Sequence, residues 1–232
     1  MFKVLHFSTV STTMEVVKDY PPNTVVVAEE QTNGRGKGDR TWISKKSDNI
    51  YISILIDASN KNVDYFNYSF LTALALLNTI KNMVKTEIDI KMKWPNDLLV
   101  NGKKFGGILL EKDTNTLVIG VGVNVDESPT LRDRTIFTST DLKKEGYDLD
   151  KKIIVEKFIK NFENLSDKLL RAGFGSIRED ILKCIYNLGK EITVKNGGSE
   201  TVGIFSDLDS NGVLILKCGD GSLKRIHSGD VF

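Results

Sequence analysis

The stretch VDYFNYSFLTALALLNTIKNMV, from residue 63 to residue 84, limits the fold more than any other part of the chain. Its apolar residues cover nearly the whole circumference of the helix that it predicts, so this helix must be buried on more than one side. Runs typical of strands stand before it, at 49–56, and after it, at 88–100. We therefore expect the helix to pack across a β-sheet.

Other runs rich in β-branched and aromatic residues predict the rest of that sheet. Residues 49–56 are apolar on both faces, which predicts an interior position in the sheet. The segment 11–20 predicts a helix capped by a hydroxyl residue, with Glu15 at capping-box distance from Thr12. The predicted strands are 2–8, 24–31, 49–56, 88–100, 103–112 and 116–125.

The sequence changes character after Leu188. Two amphipathic helices are predicted at 151–172 and 176–187, and after them short strands alternate with the turn sequences NGGS, DSNG and GDGS. We predict an α+β protein with a mixed central sheet flanked by helices, over residues 1–188. A small β-barrel is predicted to follow over residues 189–232.

Composition excludes several classes of protein. Of the 232 residues 40% are hydrophobic and 27% charged, which is typical of a folded domain. A net charge of +1 disfavours a dedicated nucleic-acid binder, and apolar runs such as 71–77 are too short to cross a bilayer. The chain has no recognisable secretion signal, and Cys184 and Cys218 make no disulfide framework, so we expect a cytoplasmic location. With only His6 and His227, catalysis would rest on Lys, Arg, Asp and Asn.

The most informative stretch is KWPNDLLVNGKKFGGILLE, residues 93–111. The Asn-Gly pair at 101–102 is preferred in two-residue type I′ turns, and that register places Asp97 opposite Gly106. Alternation then puts Asp97 and Lys104 on one face, beside a residue without a side chain. A glycine weakens a strand unless something approaches its backbone closely. The pattern fits either a surface ion pair or a binding site.

A second stretch, NGRGKGDRTW at 33–42, combines three glycines with three basic residues and ends in an aromatic. Glycines let backbone N–H groups turn toward an anion, and arginine can bind a phosphate through two hydrogen bonds. The order of residues differs from that of a Walker A loop. By itself the stretch also fits a solvated loop. Two further stretches have equally ordinary interpretations on their own. STT at 11–13 fits a helix cap, and IGVGVNV at 119–125 fits a strand packed on a helix.

Taken in this order, the four stretches resemble the biotin protein ligases, also called biotin–acetyl-CoA-carboxylase ligases. The run Lys-Trp-Pro-Asn-Asp followed by Lys104 carries most of the resemblance, together with the Gly-Arg-Gly loop that ends in Trp42. The match spans about residues 7–125, and the C-terminal hairpins resemble the small SH3-like barrel of that family. The resemblance implies a catalytic core like that of class II aminoacyl-tRNA synthetases.

What the resemblance implies is a two-step ligase of the monofunctional type. Biotin and ATP, with Mg²⁺, would form biotinyl-5′-AMP and pyrophosphate, and the adenylate would then acylate a lysine of a biotin carboxyl carrier protein. The same resemblance suggests a homodimer. Because no winged-helix domain precedes the first strand of the sequence, DNA binding is not expected.

The resemblance also implies roles for single residues. Biotin would be bound by Ser11, Thr12, Thr13, Gln31, Gly34, Arg35, Gly36, Lys37, Lys104, Gly106 and Gly107. ATP and the adenylate would be bound by Arg35, Arg40, Trp42, Asn96, Asp97, Lys104 and Asn124. The catalytic residues would be Arg35, Lys37, Lys104 and Asp97, with Asp97 also a ligand of Mg²⁺. The glycine-rich loop would order over the ligands and exclude water, and 126–137 would be a second such loop.

Three positions depart from the family pattern: Thr13 stands where many relatives have Asn, Lys37 replaces a common Arg, and 38–39 reads Gly-Asp. Two other functions stay open. A lipoate ligase shares the fold and the adenylate chemistry, and competition by lipoate would identify it. A single-strand nucleic-acid binder would use the basic loop and the small barrel, and its binding would depend steeply on salt.

Overall fold

The structure is a computed structural model that describes residues 1–45, 49–60, 63–129 and 138–232. The described residues form a central sheet, four α-helices and a C-terminal sheet. The strands are β1 Lys3–Val10, β2 Thr24–Gln31, β3 Ile50–Asp57, β4 Ile90–Lys93, β5 Asp97–Val100, β6 Lys103–Lys112, β7 Thr116–Val123, β8 Glu191–Asn196, β9 Ser199–Leu208, β10 Leu214–Lys217, β11 Leu223–Ile226 and β12 Asp230–Val231. The helices are α1 Thr13–Val16, α2 Asn67–Lys81, α3 Lys151–Ala172 and α4 Gly175–Cys184.

The central sheet has seven strands in the order β1-β2-β3-β7-β6-β5-β4. Strands β1 and β2 are parallel and the other neighbours are antiparallel, so the sheet is mixed, as predicted. Strand β3 lies inside the sheet and is buried up to its last residue, which confirms the expectation from its two apolar faces.

Helix α2 begins and ends inside the predicted range of 63–84, and nearly all of its side chains are buried. It packs against α3 on one side and against β4 and β6 on the other, which explains why its sequence has no polar face. Helix α3 has the predicted bounds, and the Asp150 carboxylate caps it by accepting from the N–H groups of Lys152 and Ile153. None of the helices in the described ranges is long and apolar enough to span a membrane.

Two of the predicted elements differ from the structure by more than a shift of their ends. The run 88–100 is two strands, because Trp94, Pro95 and Asn96 form the turn between β4 and β5, with a cis bond before the proline. The helix predicted over 11–20 is only the short α1 followed by a 3₁₀ turn at Val17–Asp19.

The register predicted for β5 and β6 was wrong by one residue at its far end. The turn at 101–102 has positive φ at both residues, as a type I′ turn requires. Beyond Lys104, however, a β-bulge shifts the pairing, and Asp97 lies opposite Gly107 instead of Gly106. A bulge adds one residue to one strand, which regular alternation cannot indicate.

After residue 188 the chain forms a five-stranded antiparallel sheet in the order β11-β10-β9-β8-β12. The short strands predicted here are present as β8 to β11, and the final strand β12 pairs with β8. Buried residues of this sheet, among them Val194 and Phe205, belong to the same apolar cluster as α2 and the central sheet. This packing places β12 beside the loop at 33–42.

Candidate active site

A cavity of about 860 Å³ opens on the face of the central sheet that carries α1. Its walls come from α1, the loop at 35–43, the β4–β5 turn, strands β6 and β7, and strand β12. A volume of this size is typical of sites for small organic ligands.

Glycines of β6 and β7 line part of the cavity. A Cβ atom on Gly122 would lie 2.4 Å from Cε2 of Trp42, and one on Gly107 would lie 3.3 Å from Cζ3 of the same ring. On Gly120 a Cβ would lie 2.7 Å from Sδ of Met14 in α1. The two glycines of IGVGVNV therefore leave room for Met14 of α1 and for Trp42 of the basic loop.

Trp42 lines the cavity instead of filling the core. Its Nε1 is buried and has no hydrogen-bond partner among the residues that the structure describes, and the ammonium of Lys104 lies 5.9 Å from the ring centroid. A flat ring with an unused donor, next to a cation, suits a planar ligand that carries hydrogen-bond acceptors.

The bulge in β6 decides which glycine faces the cavity. A Cβ on Gly107 would lie 3.8 Å from Nζ of Lys104, so this residue shares the face of the lysine. A Cβ on Gly106 would instead lie 3.0 Å from Cδ1 of Leu98, which is fully buried. Gly107 lines the cavity and Gly106 does not.

Asp97 lies between two lysines. Nζ of Lys104 donates to its Oδ1 at 2.5 Å, and Nζ of Lys93 lies 4.0 Å from its Oδ2. Lys93 is only 5% exposed, and burial lowers its pKa although Asp97 acts in the opposite direction. Lys93 begins the motif at 93–111, but the sequence pattern alone predicts no role for it. Reading Pro95 as a turn residue would have placed Lys93 directly opposite Asp97, as the β4–β5 register does.

Two predicted asparagines lie at this end of the cavity. Asn96 donates to the carbonyl of Ile108 at 2.8 Å, which holds the β4–β5 turn against β6. Asn124 donates to the carbonyl of Thr140 at 3.1 Å, and its buried Oδ1 has no hydrogen-bond partner within the described part of the chain. That oxygen is an acceptor available to a ligand.

A polar cluster around Thr13 also lines the cavity. Oε1 of Gln31 accepts from the Thr13 N–H at 2.8 Å and from the Thr13 hydroxyl at 3.1 Å. The same hydroxyl lies 2.7 Å from Oγ of the fully buried Ser53, a residue that the sequence analysis missed. Thr12 uses its hydroxyl to cap α1. These groups can orient a small polar ligand.

Besides Gly106, two predicted biotin-binding residues do not line the cavity. Ser11 is exposed just before α1. Gly34 is buried, and a Cβ there would lie 2.3 Å from the carbonyl oxygen of Trp42, so its glycine lets the basic loop fold back on itself. The loop closes through the bond from the Trp42 N–H to the Gly34 carbonyl at 3.0 Å.

Arg35 points to two carboxylates at the rim of the cavity. Its guanidinium lies 2.6 Å from Oε1 of Glu15 and 2.5 Å from Oε1 of Glu111. Glu15 therefore does not complete the capping box that the sequence suggested, because its carboxylate binds Arg35 and Lys18. The resemblance had placed Arg35 on the ligand.

The C-terminal sheet reaches the loop through Asp230, which the sequence analysis also missed. Its carboxylate lies 3.3 Å from Nζ of Lys37 and 3.1 Å from an Arg40 nitrogen. Burial raises the pKa of Asp230, but the two cations outweigh it and hold the pKa below its usual value. Nothing local in the sequence relates residues 190 positions apart.

Comparison with known proteins accounts for this combination of features. Residues 6–126 match the sequence model of the biotin/lipoate A/B protein ligase family, and residues 188–232 match that of the biotin protein ligase C-terminal domain. The chain belongs to this family. The resemblance inferred from the four sequence stretches is thereby confirmed.

Several relatives carry names that refer to biotin. The biotin–[acetyl-CoA-carboxylase] ligases of Mycobacterium tuberculosis and Paracoccus denitrificans are 30% and 28% identical, over 89% of this chain, and the match covers 77% and 89% of those proteins. The chain spans 66% of the length of the bifunctional ligase/repressor BirA of Bacillus subtilis, with 28% identity. The fold matches the biotin protein ligase of Aquifex aeolicus in complex with biotin and ATP, with a TM-score of 0.86, 24% identity and coverage of 99% and 97% of the two chains.

The geometry at Asp97 does not fit a resident metal site. Within the described ranges, no group of three or more His, Cys, Asp and Glu side chains could hold an ion. Both oxygens of Asp97 face lysine ammonium groups, which compete with a cation for the carboxylate. The role of Asp97 as a magnesium ligand stays a prediction. Of the second predicted loop, 130–137 lie outside the described residues.

Proposed function

We propose that this protein activates biotin with ATP to form biotinyl-5′-AMP and transfers the biotinyl group to a lysine of a biotin carboxyl carrier protein. One observation carries the proposal: a single cavity is lined by the polar cluster at Thr13, by the ammonium of Lys104 and by the Trp42 ring. A ligand made of a small polar ring, an acyl phosphate and a purine offers a matching group to each of the three. The names of the relatives support biotin as the acid.

Adenylation brings the carboxylate of biotin to the α-phosphate of ATP. Two anions meet, and negative charge builds on the phosphoryl oxygens as pyrophosphate leaves. Lys104 would stabilise that charge, because its ammonium reaches the cavity beside the Trp42 ring. The carbonyl carbon of the adenylate is then attacked by the acceptor lysine, and AMP leaves.

Ligand binding would also change the partners of the basic loop. Arg35 must leave Glu15 and Glu111 before it can bind a carboxylate or a phosphate of the ligand. Such ion pairs between partly exposed groups are worth only about 0–1 kcal/mol each, so the exchange costs little. Water would be excluded from the mixed anhydride once the loop lies over it.

The proposal is tested by following both half-reactions. We expect pyrophosphate exchange into ATP only when biotin is present, no competition by lipoate, and transfer of labelled biotin to an apo carrier domain. A carrier whose acceptor lysine is replaced by arginine is the control and should accept no label. Activity with lipoate in place of biotin would move the assignment to a lipoate ligase. A folded protein that lacks exchange but binds single strands with steep salt dependence would move it to the nucleic-acid module.

We further propose that the change of architecture near residue 188 is a domain boundary and that the protein is a homodimer of the cytoplasm, as the resemblance suggests. Light scattering of the purified protein over a range of concentrations measures the oligomeric state. A monomer at all concentrations would remove the homodimer from the proposal and leave the ligase chemistry untouched.

Asp230→Asn should weaken ATP binding more than it lowers the maximal rate. Without the charge, Lys37 and Arg40 lose the partner that holds the basic loop against the C-terminal sheet. Because the pairs are partly exposed, we expect a rise of about three- to tenfold in the KM for ATP. Steady-state pyrophosphate exchange at varied ATP measures it.

The matched control is Glu200→Gln, which removes a carboxylate from the same sheet. Glu200 pairs with Lys195 at 2.5 Å and does not line the cavity. Its KM for ATP should equal that of the wild type. Equal KM values for the Asp230 and Glu200 variants would contradict a role for Asp230 in holding the loop.

A further inference from the structure

The main chain of Lys104 is held by a part of the protein outside the central sheet. Strand β7 ends at Val123, which pairs with Gly106, so β7 does not reach Lys104. Instead the Lys104 N–H donates to the carbonyl of Thr138 at 3.0 Å, and the Lys104 carbonyl accepts from the N–H of Thr140 at 2.9 Å. The segment 138–145, here called the flanking segment, thus continues the pairing along β6 at this lysine.

The flanking segment also holds Asn124. The side-chain amide of Asn124 donates to the carbonyl of Thr140 at 3.1 Å, and the Asn124 carbonyl accepts from the N–H of Leu142 at 3.2 Å. Thr140 is fully buried, so water does not compete for these bonds. One residue, Thr140, therefore contacts both Lys104 and Asn124, which lie side by side in the cavity wall.

Glu145 fixes the flanking segment to the turn that precedes Lys104. Its carboxylate accepts from the Thr140 hydroxyl at 2.7 Å, from Nδ2 of Asn101 at 2.9 Å and from Nζ of Lys103 at 2.9 Å. The side chain is only 7% exposed. Three donors from two parts of the chain thus converge on one buried carboxylate, the kind of contact that fixes a backbone position.

The Glu145 carboxylate is charged over the working range of an enzyme. Burial alone would raise its pKa, but the hydrogen bonds from Asn101, Thr140 and Lys103 outweigh it and lower the pKa to about 2 from an ordinary value of 4.5. A depressed pKa in the folded state means that the contribution to stability is complete above about pH 4.5 and is lost as the pH falls toward 2.

We propose that Glu145 is a positioning residue for adenylation: through Thr140 and the Asn101 turn it sets the place from which Lys104 reaches the reacting oxygens. This inference rests on the proposed function, in which Lys104 stabilises charge on the phosphate. A displacement of a reacting group by about 1 Å costs on the order of 10²-fold in rate, so holding the backbone of Lys104 matters to the chemistry.

Glu145→Gln tests the inference because it keeps the shape and removes the charge. We expect the kcat of biotin-dependent pyrophosphate exchange to fall by about tenfold or more, with the KM values for biotin and ATP within about threefold of the wild type. Thr140→Val should change kcat in the same direction. The matched control is Asp207→Asn, which removes a carboxylate that binds Arg178 far from the cavity and should leave kcat unchanged.

A double variant shows whether Glu145 acts through Lys104. In a Lys104→Met background, Glu145→Gln should cause no further loss in single-turnover formation of labelled adenylate. An equal loss in both backgrounds, or a kcat for Glu145→Gln no lower than that of Asp207→Asn, would overturn the inference.

Hydrogen–deuterium exchange separates this inference from the proposed function. In Glu145→Gln the amides of Lys104 and Thr140 should exchange at least about tenfold faster than in the wild type, and in Asp207→Asn they should not. If the hydrogen–deuterium exchange rates of these amides are unchanged in Glu145→Gln, the inference that Glu145 positions Lys104 is overturned. A wild-type protein without adenylation would contradict the proposed function, and these amide rates would still decide whether Glu145 holds Lys104.

Discussion

Lys104→Ala is expected to lower the rate of biotin-dependent pyrophosphate exchange by about 10²–10³-fold, or roughly 3–4 kcal/mol of transition-state stabilisation. The ammonium is the cation that shares the cavity wall with Trp42 and Asp97 at the point where carboxylate and phosphate would meet. Its removal would leave the negative charge that develops there without its nearest donor. It would also remove the closer of the two lysines that face Asp97, so that Lys93 remains beside this carboxylate.

The control for this variant is Lys112→Ala, at the other end of the same strand. Lys112 lies over the ring of Tyr65 at 5.3 Å and does not line the cavity, so its exchange rate should stay within about twofold of the wild type. Thermal unfolding of both variants shows whether they are folded. Exchange by folded Lys104→Ala at the rate of the Lys112 variant would contradict the role given to Lys104.

The parts of the fold that could be predicted are those determined by residues close to one another in the sequence. Strands such as β2 and β6 and the helix α3 have the predicted bounds, because alternation, helical periodicity and caps act over a few residues. The prediction was wrong where one residue changes the pattern. The bulge in β6 moved Gly107 into the place expected for Gly106, and the turn at Pro95 divided a predicted strand.

The candidate site was predictable only in part for the same reason. The motif around Lys104 and the loop that ends in Trp42 are contiguous stretches, and both lie at the cavity. Asp230 and Glu145 act from distant parts of the chain, and no spacing rule relates them to the residues they hold. Taken singly, the residue patterns left a surface ion pair and a solvated loop open, and it was their combination that pointed to a ligase.

Gly122→Ala is expected to reduce kcat/KM for ATP by about tenfold to a hundredfold, because overpacking costs about 1–3 kcal/mol. The added Cβ would lie 2.4 Å from Cε2 and 2.6 Å from Nε1 of Trp42. The indole is rigid and already touches the position of Gly107, so it would have to move into the cavity. That movement fills the space proposed for adenine. Steady-state exchange at varied ATP measures the loss.

Gly120→Ala is the matched control in the same strand. Its Cβ would lie 2.7 Å from Sδ of Met14, but methionine has flexible rotatable bonds and can move its sulfur away. We expect its kcat/KM for ATP to change by less than about threefold. Equal effects of the two alanines would show that the glycines serve the sheet in general and not the ring of Trp42.

The clash itself can be tested by removing the indole. In a Trp42→Ala background the alanine at position 122 meets no ring, so Gly122→Ala should cost nothing further in kcat/KM for ATP if the displaced tryptophan is the cause. A second loss of the same size would place the effect in the backbone of β7. Biotin binding, measured by calorimetry, should be unchanged in Gly122→Ala, because Gln31 and Ser53 hold the Thr13 side chain and the indole ring takes no part in these bonds.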